Sequence, residues 1–151
     1  MVAPRLRGAA VLDLFAGSGA LGVEALSRGS ERAVFVDNSK AAEKAVRQNL
    51  EKSRLKDKAC FVSGDAVKFL GSCTDSFDLI FLDPPYTGGL YEKVLGLIAE
   101  RGLLSPEGLI SVEWDEEAGE PVFPDCFVRE KDRHYGRVRI TLLSHKTTAE
   151  G

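Results

Sequence analysis

Separate stretches of the chain hold residue types that can do chemistry together. Asp13 sits inside an apolar run and is followed by Phe15-Ala16-Gly17-Ser18-Gly19, with Gly22 just beyond. Gly17, Gly19 and Gly22 satisfy the spacing G-x-G-x-x-G. Glycines there let the backbone turn tightly and approach a ligand, while the first turn of a helix offers unpaired N–H groups. Asp37, with Asn38 after it, lies 20 residues past Gly17. A carboxylate at that distance can accept hydrogen bonds from both hydroxyls of a ribose. Asp65, followed by Ala66, stands where a side chain can meet the edge of an adenine ring or cap a helix.

The most unusual stretch is Asp83-Pro84-Pro85-Tyr86, directly after the apolar run Leu79 to Leu82. Two prolines stiffen the backbone and remove two N–H donors, leaving the Asp83 carboxylate and the Pro84 carbonyl as acceptors. Acceptors grouped in this way suit a planar amine with two N–H bonds to donate. Tyr86 adds a flat face on which the ring bearing that amine can stack. The lone pair of such an amine is delocalised into its ring. Hydrogen bonds from its protons to Asp83 and Pro84 favour a pyramidal nitrogen, and positioning supplies the rest of the activation.

A glycine turn with a ribose-binding carboxylate fits both nicotinamide dinucleotides and S-adenosylmethionine. Asp13 puts negative charge near the head of the ligand, and no basic residue occurs between Phe15 and Gly22. That pattern favours the cationic amino end of S-adenosylmethionine and opposes a pyrophosphate. The alternatives left open are an adenine-N6 or protein-glutamine methyltransferase, a non-catalytic module that binds S-adenosylmethionine, and a nicotinamide-dependent oxidoreductase.

These residues need elements to position them, and the chain alternates short apolar runs with longer amphipathic ones, the pattern of βαβ units on a parallel sheet. Strands are expected at Ala10–Phe15, Ala33–Val36, Cys60–Val62, Asp78–Leu82 and Leu109–Trp114. Helices are expected at Ala20–Ser27, from Asn38 or Ser39 to about Arg54, at Ala66–Leu70 and at Leu90–Glu100. Leu21 joins Ala25 and Leu26 on the expected apolar stripe of the first helix, and Ser105 to Gly108 reads as a turn. Phe127-Val128 and Val138–Leu143 form an antiparallel pair at one edge. The expected fold class is α/β: a Rossmann-like, mostly parallel sheet with helices on both faces and a carboxy-terminal hairpin.

The 151 residues suffice for about one domain, so residues 1–151 are expected to form a single unit. An apolar content of 44% and a charged content of 28% are those of a soluble globular protein. No apolar run reaches the roughly 18 residues of a membrane helix, which points to the cytoplasm and to no membrane partner. Cys60, Cys73 and Cys126 match no zinc or disulfide pattern and are expected to be reduced structural thiols, with no metal bound. The net charge of −3 does not exclude a local basic face. Arg129, Lys131, Arg133, His134, Arg137 and Arg139 are either such a phosphate-binding face or the outward charges of a solvated strand pair.

With Asp13, the glycine turn, Asp37 and Asp83 to Tyr86 in this order, the chain resembles class I S-adenosylmethionine-dependent methyltransferases. Members of that class carry an acidic or amide residue before Pro-Pro-aromatic when they methylate an amino nitrogen. The stretches VLDLFAGSGALGVEALSRGS, AVFVDNS, FDLIFLDPPY and YGRVRI are together similar to the RsmD family of 16S ribosomal RNA (guanine-N2)-methyltransferases. The resemblance implies a seven-stranded sheet, S-adenosyl-L-methionine as donor with S-adenosyl-L-homocysteine as product, and small-subunit ribosomal RNA, free or assembled with protein, as partner of a monomer. It implies a cofactor site made of Asp13, Phe15, Ala16, Gly17, Ser18, Gly19, Gly22, Asp37, Asn38, Asp65 and Ala66. Asp83, Pro84, Pro85 and Tyr86 would meet a base that is flipped out or already unpaired. It also implies a basic amino-terminal segment with an Arg-Pro-Thr stretch. Only Met1 to Ala9 precede the first strand here, with Arg5 and Arg7 as the basic residues, so that segment is expected to be missing.

Overall fold

The computed structural model describes residues 6–85 and 89–146. Seven strands alternate with helices in the order β1 (Ala10–Leu14), α1 (Ala20–Ser27), β2 (Arg32–Asp37), α2 (Lys40–Ser53), β3 (Ala59–Ser63), α3 (Ala66–Ser72), β4 (Phe77–Leu82), α4 (Leu90–Arg101), β5 (Leu104–Asp115), β6 (Phe127–Tyr135) and β7 (Val138–His145). They make one sheet of order β3-β2-β1-β4-β5-β7-β6. β1 to β5 run parallel, and β7 joins antiparallel to both β5 and β6. This is the Rossmann-like fold that the sequence predicts, with the hairpin at the expected edge.

Residues on alternate positions of the central strands serve two separate cores. Leu12, Leu14, Ile80, Leu82, Ile110, Val112 and Trp114 pack on one face with α3 and α4. Val11, Ala33, Phe35, Leu79 and Leu109 pack on the other with α1 and α2. Burial on both faces explains why the strands read as nearly continuous apolar runs. The chain leaves β1 in one direction toward β2 and β3, and returns to β1's other side at β4. The strand order therefore reverses between β1 and β4, and a crevice opens beyond their carboxyl ends.

Local signals set most boundaries. Ser39 caps α2, its Oγ accepting from the Ala42 N–H at 3.1 Å, and Gly102 ends α4 in the left-handed conformation. Three expectations need correction. Leu21 is 45% exposed, because α1 turns Gly22, Ala25 and Leu26 inward instead. Residues 105–108 lie within β5, where the register with β4 shifts between Phe77 and Leu79, and the Ser105 hydroxyl donates to Asp78 Oδ1 at 2.6 Å. Of the three free thiols only Cys73 is buried; Cys60 and Cys126 are exposed, so packing accounts for one of them. Among the described residues no helix is long and apolar enough to cross a membrane.

The hairpin is tied to the sheet by a polar chain that runs from the core to the surface. Trp114 Nε1 donates to Thr141 Oγ1 at 2.9 Å, and Thr141 Oγ1 donates to Asp132 Oδ1 at 2.6 Å, linking β5, β7 and β6. Thr141 is fully buried, so removing its hydroxyl strands an indole N–H away from water. Thr141→Val, which keeps the shape, should cost roughly 1–3 kcal/mol of unfolding free energy, measured by urea denaturation; an unchanged midpoint would show that the chain adds no stability.

Candidate active site

The turn after β1 is held in a shape that few residues tolerate. Phe15, Gly17 and Gly19 have φ of 58°, 59° and 77°, and only glycine enters this region without strain. Backbone bonds close the turn, the Ala16 N–H donating to the Val36 carbonyl at 3.1 Å and the Gly19 N–H to the Ala16 carbonyl at 2.8 Å. Two side chains from outside grip it. Asp37 Oδ2 accepts from the Gly17 N–H at 3.0 Å, and Asn49 Nδ2 on α2 donates to the Ser18 carbonyl at 2.8 Å.

Gly22 has no room for a side chain, since an added Cβ would lie 2.3 Å from Phe35 Cε2. This close approach of α1 to β2 brings the Gly22 N–H within 3.1 Å of Asp13 Oδ2. The Asp13 carboxylate is buried and faces the start of α1. Burial pushes its pKa up to about 7; the Gly22 N–H opposes the rise, and the charges of Asp83 and Asp37 add to it.

A cavity of about 310 Å³ opens at the carboxyl ends of these strands, lined by Phe15, Val36, Asp37, Asn38, Gly64, Asp65, Ala66, Asp83 and Pro85. Among the described residues its lining holds three carboxylates and no lysine or arginine. Asp37 Oδ1 also accepts from the Ser39 N–H at 2.9 Å, so each of its oxygens is fixed by one backbone donor and keeps a lone pair for a ligand. Asp65 caps α3, accepting from the Lys68 N–H at 2.9 Å, and lines the cavity as well. Both readings of that residue are thus compatible.

Asp83 stands at the end of β4 with its side chain half-buried in the cavity wall. Burial, and after it the like charge of Glu113, together raise its pKa to about 6. Pro84 is buried and Pro85 is exposed at the rim. Tyr86, expected to stack the target ring, lies outside the described residues. Asp13 and Pro84, by contrast, belong to the shell behind the lining. Ala16, Gly17, Ser18, Gly19 and Gly22 shape the turn that carries Phe15 into it.

Sequence reasoning missed Val36, Gly64, Asn49 and Glu113. Glu113 was detectable in principle as an acid flanked by Val112 and Trp114 at the carboxyl end of an apolar run.

The basic stretch is largely committed to its own neighbours. Arg129 pairs with Glu120 and Asp132; His134 and Arg139 pair with Glu116; Arg137 pairs with Asp115 and Glu117. For these four residues this favours the solvated strand pair over a phosphate-binding face, because each would first have to give up an existing carboxylate to contact phosphate.

Comparison with known proteins accords with this geometry. The family described as Conserved hypothetical protein 95 matches residues 1–144. The Ribosomal RNA small subunit methyltransferase D of Escherichia coli K12 is 34% identical over 149 residues, covering 99% of this chain and 75% of that protein. YlbH of Bacillus subtilis 168 is 37% identical over 149 residues, covering 97% of this chain and 81% of its own. The solved structure of yhhF from Escherichia coli superposes with a TM-score of 0.89 at 33% identity, over 97% of this chain and 82% of that one. A glycine turn gripped by Asp37, an acidic cavity at the strand reversal and full-length similarity of this order together place the protein in the RsmD family.

Proposed function

We propose that the protein is an S-adenosyl-L-methionine-dependent methyltransferase that methylates the exocyclic N2 amine of a guanine in small-subunit (16S) ribosomal RNA. One observation carries the cofactor half of this reading: among the described residues, the cavity beside the glycine turn is lined by Asp37, Asp65 and Asp83 and by no basic side chain. Such a field attracts a sulfonium and an ammonium group and repels the pyrophosphate of a dinucleotide. The donor set fits a nucleoside in detail. Asp37 offers two fixed oxygens to the ribose, Asp65 and Ala66 flank the adenine, and Phe15 supplies an apolar wall. Buried Asp13 favours the cationic end through its charge.

When bound, the cofactor supplies an electrophilic methyl group. The chain's own residues do the remaining work. Asp83 accepts an N–H of the target amine, holding the nitrogen toward the methyl and taking the proton that the amine sheds. With a pKa raised to about 6, it is a stronger base than an ordinary carboxylate and is still ionised at neutral pH. Pro84 and Pro85 keep that corner stiff and free of competing N–H donors. Similarity over almost the whole chain to the Escherichia coli enzyme supports small-subunit RNA as substrate. We further read the protein as a cytoplasmic, single-domain monomer acting on RNA that is free or within an assembling particle.

The direct test is transfer of tritiated methyl groups to naked and protein-bound small-subunit RNA, followed by nucleoside analysis. N2-methylguanosine is the expected product; N6-methyladenosine, or label only in protein, would overturn the substrate assignment. In the same assay Asp83→Asn should lower kcat by about 10²-fold or more, with a smaller loss of affinity for S-adenosyl-L-methionine, read by calorimetry, from the charge removed from the cavity wall. Asp37→Ala should do the reverse and weaken cofactor binding about tenfold or more through the lost ribose hydrogen bonds; equal affinity would exclude Asp37 from the site. Because only the carboxylate form of Asp83 can take a proton, kcat/KM for RNA at saturating cofactor should rise with pH through about 6 and level off above it. A profile flat down to pH about 5 would assign the proton to another group.

A further inference from the structure

Glu113 is the residue of this corner that neither the fold nor the proposed chemistry uses. It lies on β5 between Val112 and Trp114, whose side chains pack into the core on the α3–α4 face, so alternation sends Glu113 to the opposite face. Leu82 pairs with Val112 in the parallel register of β4 and β5 and belongs to that same core. The next residues along, Asp83 and Glu113, are therefore neighbours on the crevice side. The backbone there is fixed from both flanks. Glu113 pairs with Ile140 of β7, and the Tyr91 hydroxyl, from the first turn of α4, donates to the Glu113 carbonyl at 2.6 Å.

Its electrostatic situation is unlike that of the acids that follow it. Asp115, Glu116 and Glu117 each face an arginine. The Glu113 carboxylate is half-buried, has no cation or hydrogen-bond donor against it among the described residues, and has Asp83 as its charged neighbour. Two like charges held side by side on rigid strands cost stability, and an N–H donor arriving between them would relieve that cost.

Guanine brings two adjacent donors on one edge, the 2-amine and the ring N1–H. Adenine and cytosine present an acceptor at the ring nitrogen beside their amine. We infer that Glu113 is a specificity-determining residue whose carboxylate accepts the guanine N1–H while Asp83 holds the 2-amine. The inference rests on the substrate reading above and deepens it: the pair of acids selects a donor–donor edge, and an acceptor at the ring position would face an uncompensated carboxylate. A site built to bond an N–H discriminates strongly against analogues that lack it.

The test keeps the target amine and turns the ring N1–H into an acceptor; the 6-oxygen becomes an amine in the same exchange, so the response of a Glu113 variant is what assigns the preference to N1. Once the methylated nucleotide has been located in small-subunit RNA, ligated RNAs carrying guanine or 2,6-diaminopurine at that nucleotide alone are compared. Diaminopurine keeps the 2-amine but has an acceptor at N1. The parent protein should prefer guanine by about a hundredfold or more in kcat/KM. Glu113→Gln, whose amide can donate as well as accept, should narrow that preference to about tenfold or less, losing rate on guanine and gaining it on diaminopurine. Its affinity for S-adenosyl-L-homocysteine, measured by calorimetry, should match the parent's. A parent that methylates both RNAs equally overturns the inference without any variant being needed, as does a folded Glu113→Gln that keeps the parent's ratio. A parent that transfers nothing to guanine overturns the substrate reading itself, and the inference with it.

Discussion

Uncompensated negative charge at the carboxyl edge of the sheet is the constraint on which the site depends. Asp13, Asp37, Asp65 and Asp83 converge there, and no lysine or arginine among the described residues enters the cavity lining. Left alone, such a cluster is unfavourable, which is why burial and mutual repulsion hold Asp13 and Asp83 above the ordinary carboxylate range. The chain tolerates it by giving several of these carboxylates a backbone N–H: Gly22 for Asp13, Gly17 and Ser39 for Asp37, Lys68 for Asp65. Backbone donors stabilise the anion without cancelling the field that a cationic ligand would meet.

The scaffold exists to keep this arrangement rigid. Asp37 links the end of β2 to the turn after β1, Asn49 links α2 to the same turn, and Phe35 fills the space that Gly19 and Gly22 leave empty. Three consecutive pieces of the chain thereby share one set of contacts. A shift of any of them would move Phe15, and with it the cavity wall. The sheet adds its own constraint: strands buried on both faces cannot slide by one residue without turning core side chains toward the cleft.

At the opposite edge the electrostatics take another form. Four basic residues of the β6–β7 hairpin, Arg129, His134, Arg137 and Arg139, are paired with Asp115, Glu116, Glu117, Glu120 and Asp132. Charge that is paired locally projects little field at a distance. The hairpin covers β5 and protects it from open pairing. The contrast between a paired edge and an unpaired cavity gives the molecule its electrical polarity.

The sequence by itself determined the order of elements, the place of the glycine turn and the acids of the site, because these are local properties. Apolar periodicity needs a window of a dozen residues, and G-x-G-x-x-G with Asp37 or Asp83-Pro84-Pro85 can be seen in a line of text. Boundaries were read to within a residue or two for β1, α1 and α4. What tertiary structure alone decided came from partners distant in sequence. Leu21 faces solvent because α1 packs Gly22 against Phe35, residues 105–108 stay in β5 because β4 runs beside them, and Arg137 and Arg139 are paired with Asp115 and Glu116, more than twenty positions away. Glu113 stands beside Asp83 for the same reason, since strand pairing joins residues 30 positions apart and no linear pattern records which acids will meet without a cation between them.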